Sequence, residues 1–294
     1  MATVMREPSR GRREALLRTA VEEGIRKFDT APIYGLGEAD RDLASLIRAT
    51  DDVLHVTTKF GRTLSTRARA IAPFQRPLRA LLKNSSRVRR AARSGAGGVE
   101  TPPAPTVSEV RSHAERYCEL FGIERLDELL THDIPWDKNW VELMSELAED
   151  SSTIPVERLG ASGSGTLLAS YPKAILSRMA VVQTPLADDH VATGPQRHVL
   201  FGVLSELARR TRSGASPSAR YLSDLADAQP GHNSAFPLLL AVGLRAFPSA
   251  EIVVGTSSSD HLRGLLSGAT KWLEQGDLDW NLMIEVTSNS ENCE

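Results

Sequence analysis

The sequence is poor in cysteine: Cys118 and Cys293 are the two it has in 294 residues. That excludes a disulfide framework and a thiolate metal site, and no metal is expected. Cys118 falls in a helical pattern and reads as a small core residue. No stretch approaches the roughly 18 uninterrupted apolar residues of a transmembrane helix, so no membrane partner is expected. The opening MATVMREPSRGRREALL is basic but has no apolar core, so it does not read as a secretory signal. The expected compartment is therefore cytoplasmic. Net charge is small, −2, which gives no general attraction to nucleic acid or to an anionic surface. Arg carries far more of the positive charge than Lys, a hint of a GC-rich, bacterial genome.

What is present is ordinary globular material, 41% hydrophobic and 24% charged. Strand-like runs recur at 25–31, 53–60, 126–133, 156–162, 179–186, 198–204 and 251–257. Their apolar residues are near-continuous or β-branched, as in strands buried on both faces. Helical patterns lie at 9–23, 38–49, 106–121, 138–149, 164–176, 204–212, 232–246 and 259–267. Thr106 with Glu109 three residues on is a capping box. Such alternation predicts parallel strands with crossover helices. Seven strands and eight helices fit a (β/α)₈ barrel whose first strand is truncated or missing, read as a single domain over 1–294.

One segment breaks the alternation. Residues 62–99 hold ten Arg or Lys and no Asp or Glu, and GAGGVETPPAP then makes a flexible joint. The insert 62–105 is expected to be a solvated flap, a lid, or a dock for a large or anionic substrate or an acidic carrier protein.

Three motifs end apolar runs with proton-handling residues: FDTAPIYG (Asp29, Tyr34), TTKFGR (Lys59) and LLTHD (His132). Reduction of a carbonyl by hydride creates an alkoxide that must be protonated at once. A Tyr supplies that proton when a nearby ammonium lowers its pKa from about 10. A carboxylate fixes the ammonium, and an imidazole orients the carbonyl oxygen. In a barrel the C-terminal strand ends share one rim, where active sites form. A fourth motif, VVGTSSSDHL, is a Gly/Ser turn entering a helix and suits an anion.

With these motifs the chain resembles the aldo-keto reductase family over about residues 10–270. GIRKFDTAPIYGLGEAD is similar to the family's strand-2 motif, TTKFG to its strand-3 lysine and LLTHD to its strand-4 histidine. The resemblance implies a (β/α)₈ barrel using NADPH on a small-molecule carbonyl substrate. Tyr34 would be the acid/base, Lys59 and Asp29 would tune it, and His132 would orient the substrate. Gln183 matches the glutamine beside the nicotinamide ring, Ser162 the carboxamide-binding serine, and Phe201 the stacking aromatic. Gly255, Thr256, Ser257 and Ser258 match the phosphate-binding turn.

The chain also departs from the family. His261 stands where the family grips the 2′-phosphate with Arg. Gly264 and Leu265 replace a Glu-Asn pair near adenine, and Gly163 an Asn beside the carboxamide. Ala2-Thr3 stands for a strand-1 Gly-Thr. NADPH is therefore expected to bind weakly. Two alternatives remain open: a non-redox lyase, dehydratase or isomerase reusing the Tyr34/Lys59/His132 site, and a non-catalytic regulatory barrel.

Overall fold

The computed structural model describes residues 1–64, 99–186, 196–228 and 235–288. Most of the basic insert, from 65 to 98, lies outside the described residues, as does Cys293, so neither the flap nor the lid expectation is addressed by them.

Seven parallel strands form the main sheet. They are β1 (Lys27–Asp29), β2 (His55–Phe60), β5 (Leu126–His132), β6 (Val156–Ser162), β7 (Val181–Pro185), β8 (Arg197–Phe201) and β9 (Ala250–Ile252), paired in that order. All seven expected runs are strands. Their sequences explain the layering: in β5 every position but Asp127 is buried, as a strand covered on both faces must be. The register aligns the C-terminal ends, pairing Asp29 with Thr57, Thr131 with Phe60, and Ser162 with both His132 and Gln183.

Eight-stranded closure is not seen among the described residues. No strand precedes β1; Val4–Arg6 is a 3₁₀ turn instead. Between the edge strands, Lys27 of β1 is ion-paired with Glu251 of β9. Arg197 of β8 holds Glu251 and the buried Glu128, which also takes Arg158 at 3.3 Å. This charged belt links five strands at the floor of the sheet. Above it pack Leu130, Val181 and Val199.

Helices cover the outer face. The capping box at Thr106 and Glu109 starts Val107–Phe121 as expected. Asp137 caps Lys138–Glu149, its side chain accepting from the Trp140 amide at 3.0 Å. Phe121, Trp140, Met144 and Leu147 of these helices are fully buried against β2, β5 and β6, and Cys118 is buried and free among them. The expected 164–176 helix is two short ones, Gly165–Ala169 and Lys173–Leu176, because Pro172 cannot continue the first. Two helices, Pro217–Ala228 and Trp280–Ile284, are additional to the expected ones, as is an antiparallel pair, β3 (Thr63–Leu64) with β4 (Val99–Glu100), which forms the neck of the basic insert.

Candidate active site

Asp29 ends β1. The chain then turns, the Tyr34 amide donating to the Ala31 carbonyl at 2.9 Å, and enters the 3₁₀ segment Tyr34–Gly37. Gly35 there has φ +57, and a Cβ on it would lie 2.4 Å from the Met5 methyl. The Val4–Arg6 turn thus presses directly on the residue after Tyr34, where a side chain would have to displace Met5 and take a left-handed φ.

Lys59, on β2, is 2% exposed. Its Nζ donates to Asp29 Oδ2 at 2.5 Å and lies 5.4 Å from the centre of the Tyr34 ring. The Tyr34 ring stands edge-on to His132, centroids 5.9 Å apart at 87°. Four residues from three adjacent strand ends therefore meet on one rim. A second tier joins them: Ser162 Oγ donates to Gln183 Oε1 at 2.7 Å, and Gln183 Nε2 donates to Asp29 Oδ2 at 2.9 Å.

Burial alone would raise the Asp29 carboxyl. The Lys59 charge, then the Met1 amino-terminal charge and the hydrogen bonds from Lys59 and Gln183, outweigh it and hold the carboxyl below its usual range. His132 is pushed down to about 3, by burial first and then by the Lys59 and Arg62 charges. It is a neutral imidazole, with Nδ1 enclosed and unpartnered among the described residues. Tyr34 corrects an expectation. Burial raises its phenol above the ordinary value, and the opposing pull of Lys59 is too weak to reverse that. The phenol is thus a firmly held proton rather than a poised phenolate.

A cavity of about 1290 Å³ opens beside these groups. Asp29, Tyr34 and His132 line one end, with Lys59 buried beside them. Ser162, Gln183, Phe201, Gly255, Thr256, Ser257 and His261 line the remainder. Ser258 is not on the wall. It is the N-cap of Ser259–Glu274, its Oγ accepting from the His261 amide at 3.4 Å. Thr3 sits close against Gly255, so Ala2-Thr3 reaches the cavity between β1 and the phosphate-type turn.

The residues present fit a dinucleotide, with a thinned grip. The cavity runs from the Tyr34–His132 end to a helix start, and the Ser162–Gln183 pair offers amide and hydroxyl groups between them. At the far end His261 is exposed, Gly264 opens onto free space and Leu265 is buried, so none of these three positions offers a fixed cation or carboxamide to an adenosine. At Gly163 a Cβ would meet Leu167 at 3.0 Å.

Two cavity residues lay inside the motifs without being assigned to the site: Arg62 in TTKFGR, counted only with the basic insert, and Asp133 in LLTHD. They pair with each other at 2.8 Å. Their 71-residue separation hides that contact from any sequence pattern.

A parallel α/β barrel sheet with proton-handling groups on its C-terminal rim defines the barrel class of enzyme scaffold. The chain belongs to the aldo/keto reductase family, whose model matches residues 3–153, the half carrying Asp29, Tyr34, Lys59 and His132. Pyridoxal 4-dehydrogenase of Microbacterium luteolum is 30% identical over 130 residues, covering 43% of this chain and 35% of that protein. The fold resembles that of a glycerol dehydrogenase from Gluconobacter oxydans: TM-score 0.58, 16% identity, 94% of this chain and 84% of that one. It also resembles the holo form of an aldo-keto reductase from Bacillus halodurans: TM-score 0.60, 13% identity, 97% and 89%. Among the described residues no helix is long and apolar enough to cross a membrane.

Proposed function

We propose that the chain is an oxidoreductase that reduces an aldehyde or ketone to an alcohol, using NADPH and Tyr34 as the proton donor. The observation that carries this reading is the Lys59–Asp29 pair, 2.5 Å apart and buried beside a Tyr34 ring that faces neutral His132.

The nicotinamide, when bound, supplies the hydride. The chain supplies the rest. Burial holds the proton on Tyr34 Oη until an alkoxide, a far stronger base than phenolate, develops against it. The phenolate left behind is stabilised by the Lys59 ammonium, whose own charge Asp29 secures. His132, uncharged, donates a ring N–H to the carbonyl oxygen without competing for the proton. Gln183, tied to both Ser162 and Asp29, couples the expected carboxamide site to the proton-handling groups.

The related proteins add support: the family name, and a dehydrogenase among the relatives. A non-redox reaction at the Tyr34/Lys59/His132 site is favoured by the thinned cofactor positions alone. Titrating NADPH against protein fluorescence separates the two readings. The test of mechanism is Tyr34→Phe, which should lower the rate of aldehyde reduction by at least about a hundredfold, as loss of a general acid does. Near-normal turnover by that variant would overturn the mechanism.

A further inference from the structure

We propose that Arg62 is the specificity-determining residue of this site and that the substrate it selects is a carbonyl compound bearing a carboxylate. The inference rests on the carbonyl-reducing reading above and names its substrate class.

The chain is built to deliver Arg62 to this place. Gly61 has φ +100, and a Cβ there would lie 2.6 Å from Ile134 and 3.0 Å from Trp140. The chain leaving β2 is thereby pressed against the segment that follows β5, and Arg62 lands beside Asp133. Asp133 is itself in the left-handed region, φ +52, uncommon for a residue other than glycine. Arg62 Nη1 donates to Asp133 Oδ2 at 2.8 Å. Both residues line the same cavity as Tyr34 and His132, and the Arg62 charge is felt by both of those groups.

The guanidinium is only partly used. Nη1 is taken, while Nε is enclosed and has no acceptor among the described residues. The side chain as a whole is about a third exposed, so the tip of the guanidinium can still donate a charge-assisted hydrogen bond to a carboxylate entering the cavity. Asp29 is committed to Lys59 and Gln183, so it does not compete for that tip. A dianionic phosphate suits the place less, because Asp133 and Asp29 both face the same cavity.

Two measurements on the full chain test this. The first compares kcat/KM for succinic semialdehyde and butanal with NADPH, in the wild type, Arg62→Met and Arg62→Lys. The wild type should favour the semialdehyde by at least about tenfold, the worth of one charge-assisted hydrogen bond. Arg62→Met should collapse that ratio through KM, and Arg62→Lys should restore part of it. The second is calorimetric titration of succinate, with inorganic phosphate as a control and thermal melts to confirm folding. Succinate should bind the wild type and not Arg62→Met, even if no aldehyde is turned over; that result would sink the redox reading and leave this one standing. Equal turnover of both aldehydes with no succinate binding would do the reverse. Stronger binding of phosphate than of succinate would overturn the proposal. So would succinate binding that survives Arg62→Met and is lost in Arg6→Met, since Arg6 lines the same cavity without a partner among the described residues.

Discussion

Gln183 and Lys59 donate to the same oxygen, Asp29 Oδ2, at 2.9 and 2.5 Å. Asp29 is thus the joint between the residues that handle the proton and those that face the expected nicotinamide. Replacing it by Asn leaves the Lys59 ammonium enclosed without a counter-charge. Breaking a buried pair from one side costs about 3–5 kcal/mol. Asp29→Asn should therefore lower stability by an amount at the low end of that range, since Asp29 keeps some exposure. Adding Lys59→Met should recover part of the loss. Chemical denaturation of the two single variants and the double variant measures the coupling. Strictly additive losses would mean the pair is not coupled.

His132 makes the fold acid-sensitive. Its folded pKa of about 3 lies below the ordinary value of 6.5, so the fold binds the neutral form. That contribution is complete above pH 6.5 and is lost as pH falls toward 3, at up to about 1.4 kcal/mol per pH unit. His113, pushed down to about 4 chiefly by burial, acts with the same sign. His132→Asn should flatten the loss of stability between pH 6.5 and 4.5, leaving the His113 part. Urea midpoints at the two pH values check this; an unchanged slope would mean that His132 is not the titrating group.

Much of this arrangement was legible beforehand. The seven strands were readable because a strand buried on both faces is rich in apolar and β-branched residues, as VVQTP and RHVLF are. The four proton-handling residues were readable because each ends such a run. The helix Pro217–Ala228 carried a usable signal, Ser216 followed by Pro at the first helical position, and the Ser216 hydroxyl does accept from the Ala219 amide at 3.1 Å. The Ser162–Gln183–Asp29 chain had none, since Gln183 and Asp29 are 154 residues apart and meet only through strand order. The Tyr34 phenol was misjudged because sequence shows the neighbouring Lys but not the burial that outweighs it.

A second buried carboxyl stands behind Asp29. Asp40 accepts from the Thr30 hydroxyl at 2.6 Å and from the Tyr117 hydroxyl at 2.8 Å. Burial nevertheless lifts it to about 6, above its ordinary 3.8. A raised carboxyl stabilises the fold below pH 3.8, and that contribution is lost as pH rises through 6. Tyr117→Phe removes a donor to the charged form. It should cost roughly 1–3 kcal/mol at pH 8, where Asp40 is ionised, and less at pH 5, where it is largely protonated. Denaturation midpoints at both values test the sign; a larger cost at pH 5 would contradict it.

The dinucleotide grip should be repairable at one position. His261 lies in the first turn of Ser259–Glu274 and faces the cavity, exposed, next to the Gly255–Ser257 turn. An Arg there would bring a permanent charge and a two-pronged donor to a 2′-phosphate, which NADPH carries and NADH does not. A hydrogen bond to a charged group is worth about 1.5–3 kcal/mol, so His261→Arg should tighten NADPH by about tenfold or more. NADH affinity should change little, because the added group has nothing to hold on the unphosphorylated ribose. Fluorescence titration of both nucleotides against wild type and variant measures the ratio directly. Equal tightening of the two would show that the new Arg reaches the shared pyrophosphate. No tightening of either would place the adenosine away from this helix, and the cofactor reading of the VVGTSSSDHL turn would fall with it.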